Sequence, residues 1–196
     1  MKNVTIFFLL FAISVCKAQE TPVLTKTDVN GKVSILVPAT FRQLSEQDLV
    51  QQFGMVHMPE AAYASANNDV TLAISIRVDS ISSTIKYKSM EGKKDSVDLT
   101  IEKSFYKASL GATYEEITFL KDAIVTIDKH PFMIFEFEST LVGKTSKGAE
   151  VTTKQYNYLA HGFKGKKKYI ITFSCPLELK TKWQPLAQQI IDSVKI

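Results

Sequence analysis

Between Thr113 and Ser174 the chain repeats one pattern: an apolar or alternating segment of strand length, closed by a short polar break. The segments cover 113–120, 123–128, 132–142, 151–163 and 168–174. The breaks are Lys121-Asp122, Lys129-His130-Pro131, the stretch from Gly143 to Gly148, and Gly165-Lys166-Lys167. Parallel neighbours need crossovers of about a dozen residues or more, so connections this short restrict the segments to antiparallel pairing. A sheet of this kind needs a cover, and the carboxyl end supplies one. Trp183, Leu186, Ala187, Ile190, Ile191 and Val194 fall at i, i+3, i+4, i+7, i+8 and i+11, the apolar stripe of a helix laid on a sheet. Pro185 is expected in its first turn, where a missing N–H is tolerated.

The amino-terminal half reads less evenly. Residues 19–30 are polar without a period and are expected to form a flexible terminus. Asn30-Gly31 marks a turn, and Val33–Val37 reads as a strand stopped by Pro38. Ser45 with Asp48 three residues on forms a capping box before Leu49, Val50 and Phe53, a short helix closed by Gly54. Strands at 61–66 and 70–78 flank the turn Asn67-Asn68-Asp69, with Val70, Leu72, Ile74, Ile76 and Val78 on one face. Ser80 to Ser96 is Ser- and Lys-rich and is expected as a long surface loop. Ser96 then caps a helix with Val97, Ile101, Phe105 and Ala108 as its buried stripe, ended by Gly111. The sum is an α+β chain: a central antiparallel sheet flanked by helices, with no internal repeat.

Met1 and Lys2 precede an apolar run from Val4 to Val15, followed by Cys16-Lys17-Ala18. This is a signal-peptide pattern, too short to span a bilayer as a helix, and cleavage is expected after Ala18. The expected organisation is a leader at 1–18, a loose segment at 19–30 and one domain at 31–196. The product is exported, periplasmic or secreted, with no stable membrane span after the leader is removed. Lipid anchoring through Cys16 is the alternative. Losing Lys2 and Lys17 lowers the formal charge from +4 to +2, a near-neutral surface that gives no case for nucleic acid. It also leaves Cys175 as the lone cysteine, read as a core thiol at the end of an apolar run.

The inventory of chemical groups is thin. His57, His130 and His161 are scattered, and Pro59 interrupts the His57–Glu60 spacing, so no metal or other cofactor is expected. No G-x-S-x-G elbow is present, and the Gly-rich stretches lead into strands rather than helices, so they cradle no phosphate. A Cys175–His161 pair on neighbouring strands is conceivable. Glu136 and Glu138, at i and i+2, share a strand face at about 6.5–7 Å and form the one carboxylate pair that fits a hydrolase. With Phe135 and Phe137 on the other face, the two acids are expected in solvent. Tyr156, Tyr158, Phe163, Lys166, Lys167 and Lys168 are candidates for a binding surface. The three lysines suit an acidic partner or anionic lipid, or simply keep a hairpin tip soluble.

Three stretches carry a resemblance. Val33-Ser34-Ile35-Leu36-Val37-Pro38 with Phe41 is similar to an opening strand of the PsbP-like family, whose fold is shared by a Ran-binding nuclear import factor. Ile127 to Glu136 resembles the family's central turn and strand. Tyr169 to Ser174, with Trp183 and Ile190 to Val194, resembles its last strand and carboxyl-terminal helix. The resemblance implies an antiparallel sheet between helices, protein partners and no catalytic set. The resulting expectation is an exported, non-enzymatic binding or assembly protein with a protein partner of unknown identity. A hydrolase with an unfamiliar carboxylate site, and an envelope immunity or inhibitor protein, are the alternatives.

Overall fold

The computed structural model describes residues 22–78, 99–144 and 148–196. The leader at 1–18, the loop at 80–96, the Ser96 cap and Val97 lie outside the described residues. The elements in chain order are β1 (Leu24–Val29), β2 (Val33–Pro38), β3 (Arg42–Gln43), α1 (Glu46–His57), β4 (Ala61–Ala64), β5 (Thr71–Val78), α2 (Leu99–Thr113), β6 (Glu116–Ile127), β7 (His130–Lys144), β8 (Glu150–Lys164), β9 (Lys167–Pro176) and α3 (Lys180–Asp192), with a single 3-10 turn at Leu177–Leu179 before α3. Seven strands form one antiparallel sheet in the order β3-β4-β5-β9-β8-β7-β6. The hairpin β1-β2 stands apart as a second, two-stranded sheet.

Both faces of the large sheet are covered. On one face Leu72, Ile74, Phe132, Ile134, Tyr156, Tyr158, Ile171 and Phe173 pack with Trp183, Leu186, Ala187, Ile190 and Ile191 of α3 and with Val33, Ile35 and Val37 of β2. The other face carries two smaller clusters. Leu44 and Leu49 at α1 meet Ala62, Ala64 and Ala73. Leu99, Tyr106 and Leu110 of α2 meet Met133, Phe135, Phe137 and Phe163. The outcome is the α+β sandwich that the strand pattern and the terminal stripe predict. Hairpin β1-β2 is stitched to the chain end by reciprocal backbone bonds between Ser34 and Lys195, both 2.9 Å, and by Ser193 Oγ accepting from Leu36 N at 2.9 Å.

Several elements differ from their sequence reading. Leu24–Val29, expected as part of a loose terminus, is a strand, because the turn with positive φ at Asn30 and Gly31 folds it back onto β2. Lys121-Asp122 is not a turn. β6 runs through it with a bulge that leaves Leu120 unpaired between the Phe119–Phe137 and Lys121–Glu136 partners. The turn into β7 is Asp128-Lys129, both at positive φ, rather than Lys129 to Pro131. Pro185 lies inside α3, not in its first turn, since the helix already begins at Lys180. One helical hydrogen bond is forgone, and burial of the inner stripe outweighs it.

Helix α2 shows the largest reversal. Ile101 and Phe105, expected inside, are 68% and 71% exposed, and the helix continues past Gly111 to Thr113. Leu99, Tyr106 and Leu110 form a rival stripe at i, i+7 and i+11 and face the sheet instead. Ion pairs from Lys103 and Lys107 to Asp122, at 2.5 and 2.6 Å, fix that rotation. By contrast the capping box at Ser45 and Asp48 forms in full, and Gly54 breaks α1 at φ 71°. Gly162 answers a packing need: a Cβ there would lie 2.3 Å from the ring of Phe132, its cross-strand partner.

Candidate functional site

The carboxylate pair sits where the sheet meets α3. Glu136 and Glu138 of β7 point to the same face as Phe132 and Ile134, and α3 roofs that face. Two residues of strand span about 6.7 Å and four residues of helix about 6 Å, so an i, i+2 pair on a strand matches an i, i+4 pair on a helix laid along it. Lys180 and Gln184 supply that pair. Lys180 Nζ reaches Glu138 at 2.6 Å, and Gln184 Nε2 donates to Glu136 Oε1 at 2.6 Å. The Tyr156 hydroxyl donates to the same Oε1 at 3.0 Å. Glu136 is 8% exposed and Glu138 is half-buried, so the expectation of a solvated acid fails at Glu136. The sheet has core on both sides, and Phe135 and Phe137 fill the other one.

These contacts hold the two acids in place. Burial, and then the Glu136 carboxylate, push the Tyr156 phenol far above its ordinary range. Tyr158 is pushed up to about 12 by burial, then by Asp192 and Glu136. Its hydroxyl lies 3.4 Å from Nζ of Lys121 on the edge strand β6. Tyr156→Phe leaves Glu136 Oε1 with one donor, and is expected to cost about 1–2 kcal/mol in chemical denaturation. A variant as stable as the parent would show that the bond contributes nothing.

A second polar cluster lies under α2, on the opposite face. His161 is 5% exposed, with the Tyr106 ring edge-on at 4.7 Å and Phe135 at 6.3 Å. Its Nδ1 is buried without a hydrogen-bond partner among the described residues. Burial, then the nearby Lys168 charge, lower its pKa to about 3, so the ring is neutral. Lys168 is itself 7% exposed, its ammonium 3.7 Å from the Tyr106 ring centre and bonded to the Tyr106 hydroxyl.

The placement of the remaining groups follows from strand parity. Cys175 pairs with Tyr156 on the α3 face, while His161 lies on the α2 face, so the sheet separates the two and no Cys–His pair forms. The Cys175 thiol is buried and pushed up to about 12 by burial and by Glu178. The Glu60 carboxylate accepts from Asn30 at 2.9 Å and pairs with Lys32 at 2.5 Å, while His57 is exposed at the end of α1. No cluster of three or more metal-ligating side chains occurs among the described residues. Of the proposed binding surface, Tyr156, Tyr158, Phe163 and Lys168 are buried in the two cores, and only Lys166 and Lys167 at the β8-β9 tip are exposed. The aromatics alternate on β8 because both its faces are covered, which a sequence cannot distinguish from one face turned to a partner.

One exposed feature escaped the sequence reading. β7 and β8 are 15 residues each and outrun their neighbours, so 141–144 paired with 150–153 extend past the end of the β6 pairing as a two-stranded arm. Leu141, Val142 and Val151 are exposed on it.

No protein-family model matches the chain, and no curated protein matches it. Solved structures do. The cyanobacterial PsbP (CyanoP) of Synechocystis sp. PCC 6803 superposes with a TM-score of 0.56 at 11% identity, over 94% of this chain and 98% of that one. The Saccharomyces cerevisiae Ran-binding protein Mog1p gives 0.50 at 10% identity, over 89% and 96%. With the sheet order, the covering helices and these superpositions together, the chain has the fold shared by PsbP and Mog1p.

Proposed function

We propose that this chain is an exported, non-enzymatic binding protein with a protein partner. One observation carries the reading: among the described residues, the candidate carboxylates, the Cys175 thiol and the His161 ring are committed to the fold. Glu136 and Glu138 are held by Tyr156, Gln184 and Lys180, Cys175 is a buried thiol, and His161 is a buried neutral ring. The likeness to Mog1p, named as a Ran-binding protein, supports a binding role. Export rests on the leader pattern at 1–18. The projecting arm, with apolar Leu141, Val142 and Val151, is the surface assigned to the partner.

The test pairs localisation with capture. Expressed with its own leader, the chain is expected in the exported fraction with a mass beginning at Gln19. Immobilised, it is expected to enrich one protein that Leu141→Ser/Val151→Ser loses and Cys175→Ala retains. A product that keeps its leader in the cytosol removes the export reading. Enrichment that ignores the arm variant removes the surface.

A further inference from the structure

The three most exposed large hydrophobics among the described residues are Val56, Met55 and Val78, at 82%, 80% and 77%. All three lie at one end of the large sheet. Gly54 breaks α1 at φ 71°, and the turn beyond it carries Met55 and Val56 away from the cluster that Phe53 joins. Arg77 donates to the Met58 carbonyl at 3.0 Å, which ties that turn to the end of β5, and Val78 pairs with Lys167 at the start of β9. The β8-β9 and β6-β7 turns complete the same end with Lys166 and Lys129. Arg77, Lys129, Lys166 and Lys167 are exposed and make no ion pair among the described residues. With strands about 4.8 Å apart, they form a row of about 17 Å across the sheet. The acids at this end are engaged: Glu60 pairs with Lys32 at 2.5 Å, Asp28 accepts from Gly31 N at 2.6 Å, and Asp128 accepts from Ile196 N at 3.0 Å.

We infer that this end is a peripheral membrane contact, and that its occupant is a bilayer surface carrying anionic phospholipid. Such a surface satisfies both halves of the end at once. Headgroup phosphates neutralise the row of cations, and the interface just below them takes apolar side chains without requiring a matching pocket. A purely acidic partner would pair the cations and leave Met55 and Val56 in water. A purely apolar one would take those two side chains and strand the charges. The row is built for long-range attraction rather than deep insertion, so the contact is shallow and sensitive to salt. Orientation follows from the strands. The arm at 141–144 and 150–153 is at the far end of β7 and β8, and 15 residues of strand span about 50 Å. A chain lying on a bilayer by its basic end holds that arm out in water.

Co-sedimentation with lipid vesicles tests this, using residues 19–196, which contain every described element. The chain is expected to pellet with vesicles of equal parts phosphatidylglycerol and phosphatidylcholine, and to stay in solution with phosphatidylcholine alone. Salt at about 1 M should release it, since the Debye length falls from about 10 Å at 0.1 M to about 3 Å. Lys166→Ser/Lys167→Ser is expected to weaken partitioning about tenfold or more, at about fivefold for each lysine. Met55→Ser/Val56→Ser leaves the charge unchanged and is expected to weaken it about fivefold or more. Leu141→Ser/Val151→Ser, at the far end, should partition like the parent. Thermal melts check that all the variants fold, which exposed positions allow. A chain that ignores anionic vesicles overturns the inference and leaves the cations to an acidic protein. Binding that survives the lysine variant, survives the apolar variant, is lost in the arm variant, or is as strong on phosphatidylcholine alone overturns it as well.

Discussion

Trp183→Ala is expected to remove about 3–5 kcal/mol of stability, the loss typical of truncating a buried aromatic. Trp183 is buried under α3, with the Phe41 ring at 5.3 Å and the Phe173 ring at 5.9 Å, so one side chain joins the helix, the β9 strand and the segment after β2. Small proteins are stable by about 5–15 kcal/mol in total, so the loss is a large share. For a chain of this size the melting temperature should fall by roughly 6–20 °C. Trp183→Phe keeps most of the buried area and should recover more than half of the loss. A fall of only a degree or two for Trp183→Ala would mean that α3 is an appendage rather than the roof of the sheet.

The second large effect is on pH. The His161 ring has its pKa lowered to about 3 by burial and by Lys168, against 6.5 for the exposed side chain. Between those values the unfolded chain binds a proton that the folded chain refuses, so stability falls as pH falls from 6.5. At up to about 1.4 kcal/mol per pH unit, the loss reaches about 2–3 kcal/mol by pH 4.5. The carboxylates held low by lysine or arginine partners, Asp48, Glu60 and Asp122, lose their contribution only below about pH 4, where ordinary acids titrate. The window from 6.5 to 4.5 therefore belongs to the imidazole. His161→Phe should flatten the curve there, and it should be no less stable at pH 7, since it removes a buried Nδ1 without a partner among the described residues. An unchanged slope in the variant would mean that the ring is protonated or wetted in the native state.

How much of this was legible in the sequence depended on whether a local signal had a rival. The α3 stripe had none: Trp183, Leu186, Ala187, Ile190 and Ile191 are buried as their spacing requires. The capping box at Ser45 has a single geometry and formed. Helix α2 had two stripes, and period alone cannot choose between Ile101-Phe105 and Leu99-Tyr106-Leu110. The choice was made by Asp122, distant in sequence and misread as a turn residue. A bulge in β6 looks like a turn because both interrupt alternation with polar residues, and only the pairing with β7 tells them apart.

The site was less legible than the fold. Alternation on β7 predicts one wet face and one dry face, and the β8 aromatics read as a surface for a partner. Both faces of these strands carry core, which buries Glu136, half-buries Glu138 and turns several expected surface aromatics into buried groups. The polar residues that made this possible, Lys180 and Gln184, carry no motif. Their role exists only because helix and strand spacings coincide where the two elements cross. Cys175 and His161 looked like possible partners on adjacent strands, and the parity of the register separates them.

Helix α3 seals one face of the sheet as part of the cooperative fold, burying Glu136 beneath it. The chain has one tryptophan, and it sits at that seam. Trp183 emission, with acrylamide quenching, should be followed alongside far-UV circular dichroism through a denaturant titration. The account predicts blue-shifted emission shielded from quencher in the native state, lost in the same transition as the sheet signal. Emission that is solvent-exposed at the outset, or that shifts in an earlier transition while the sheet remains, would contradict it.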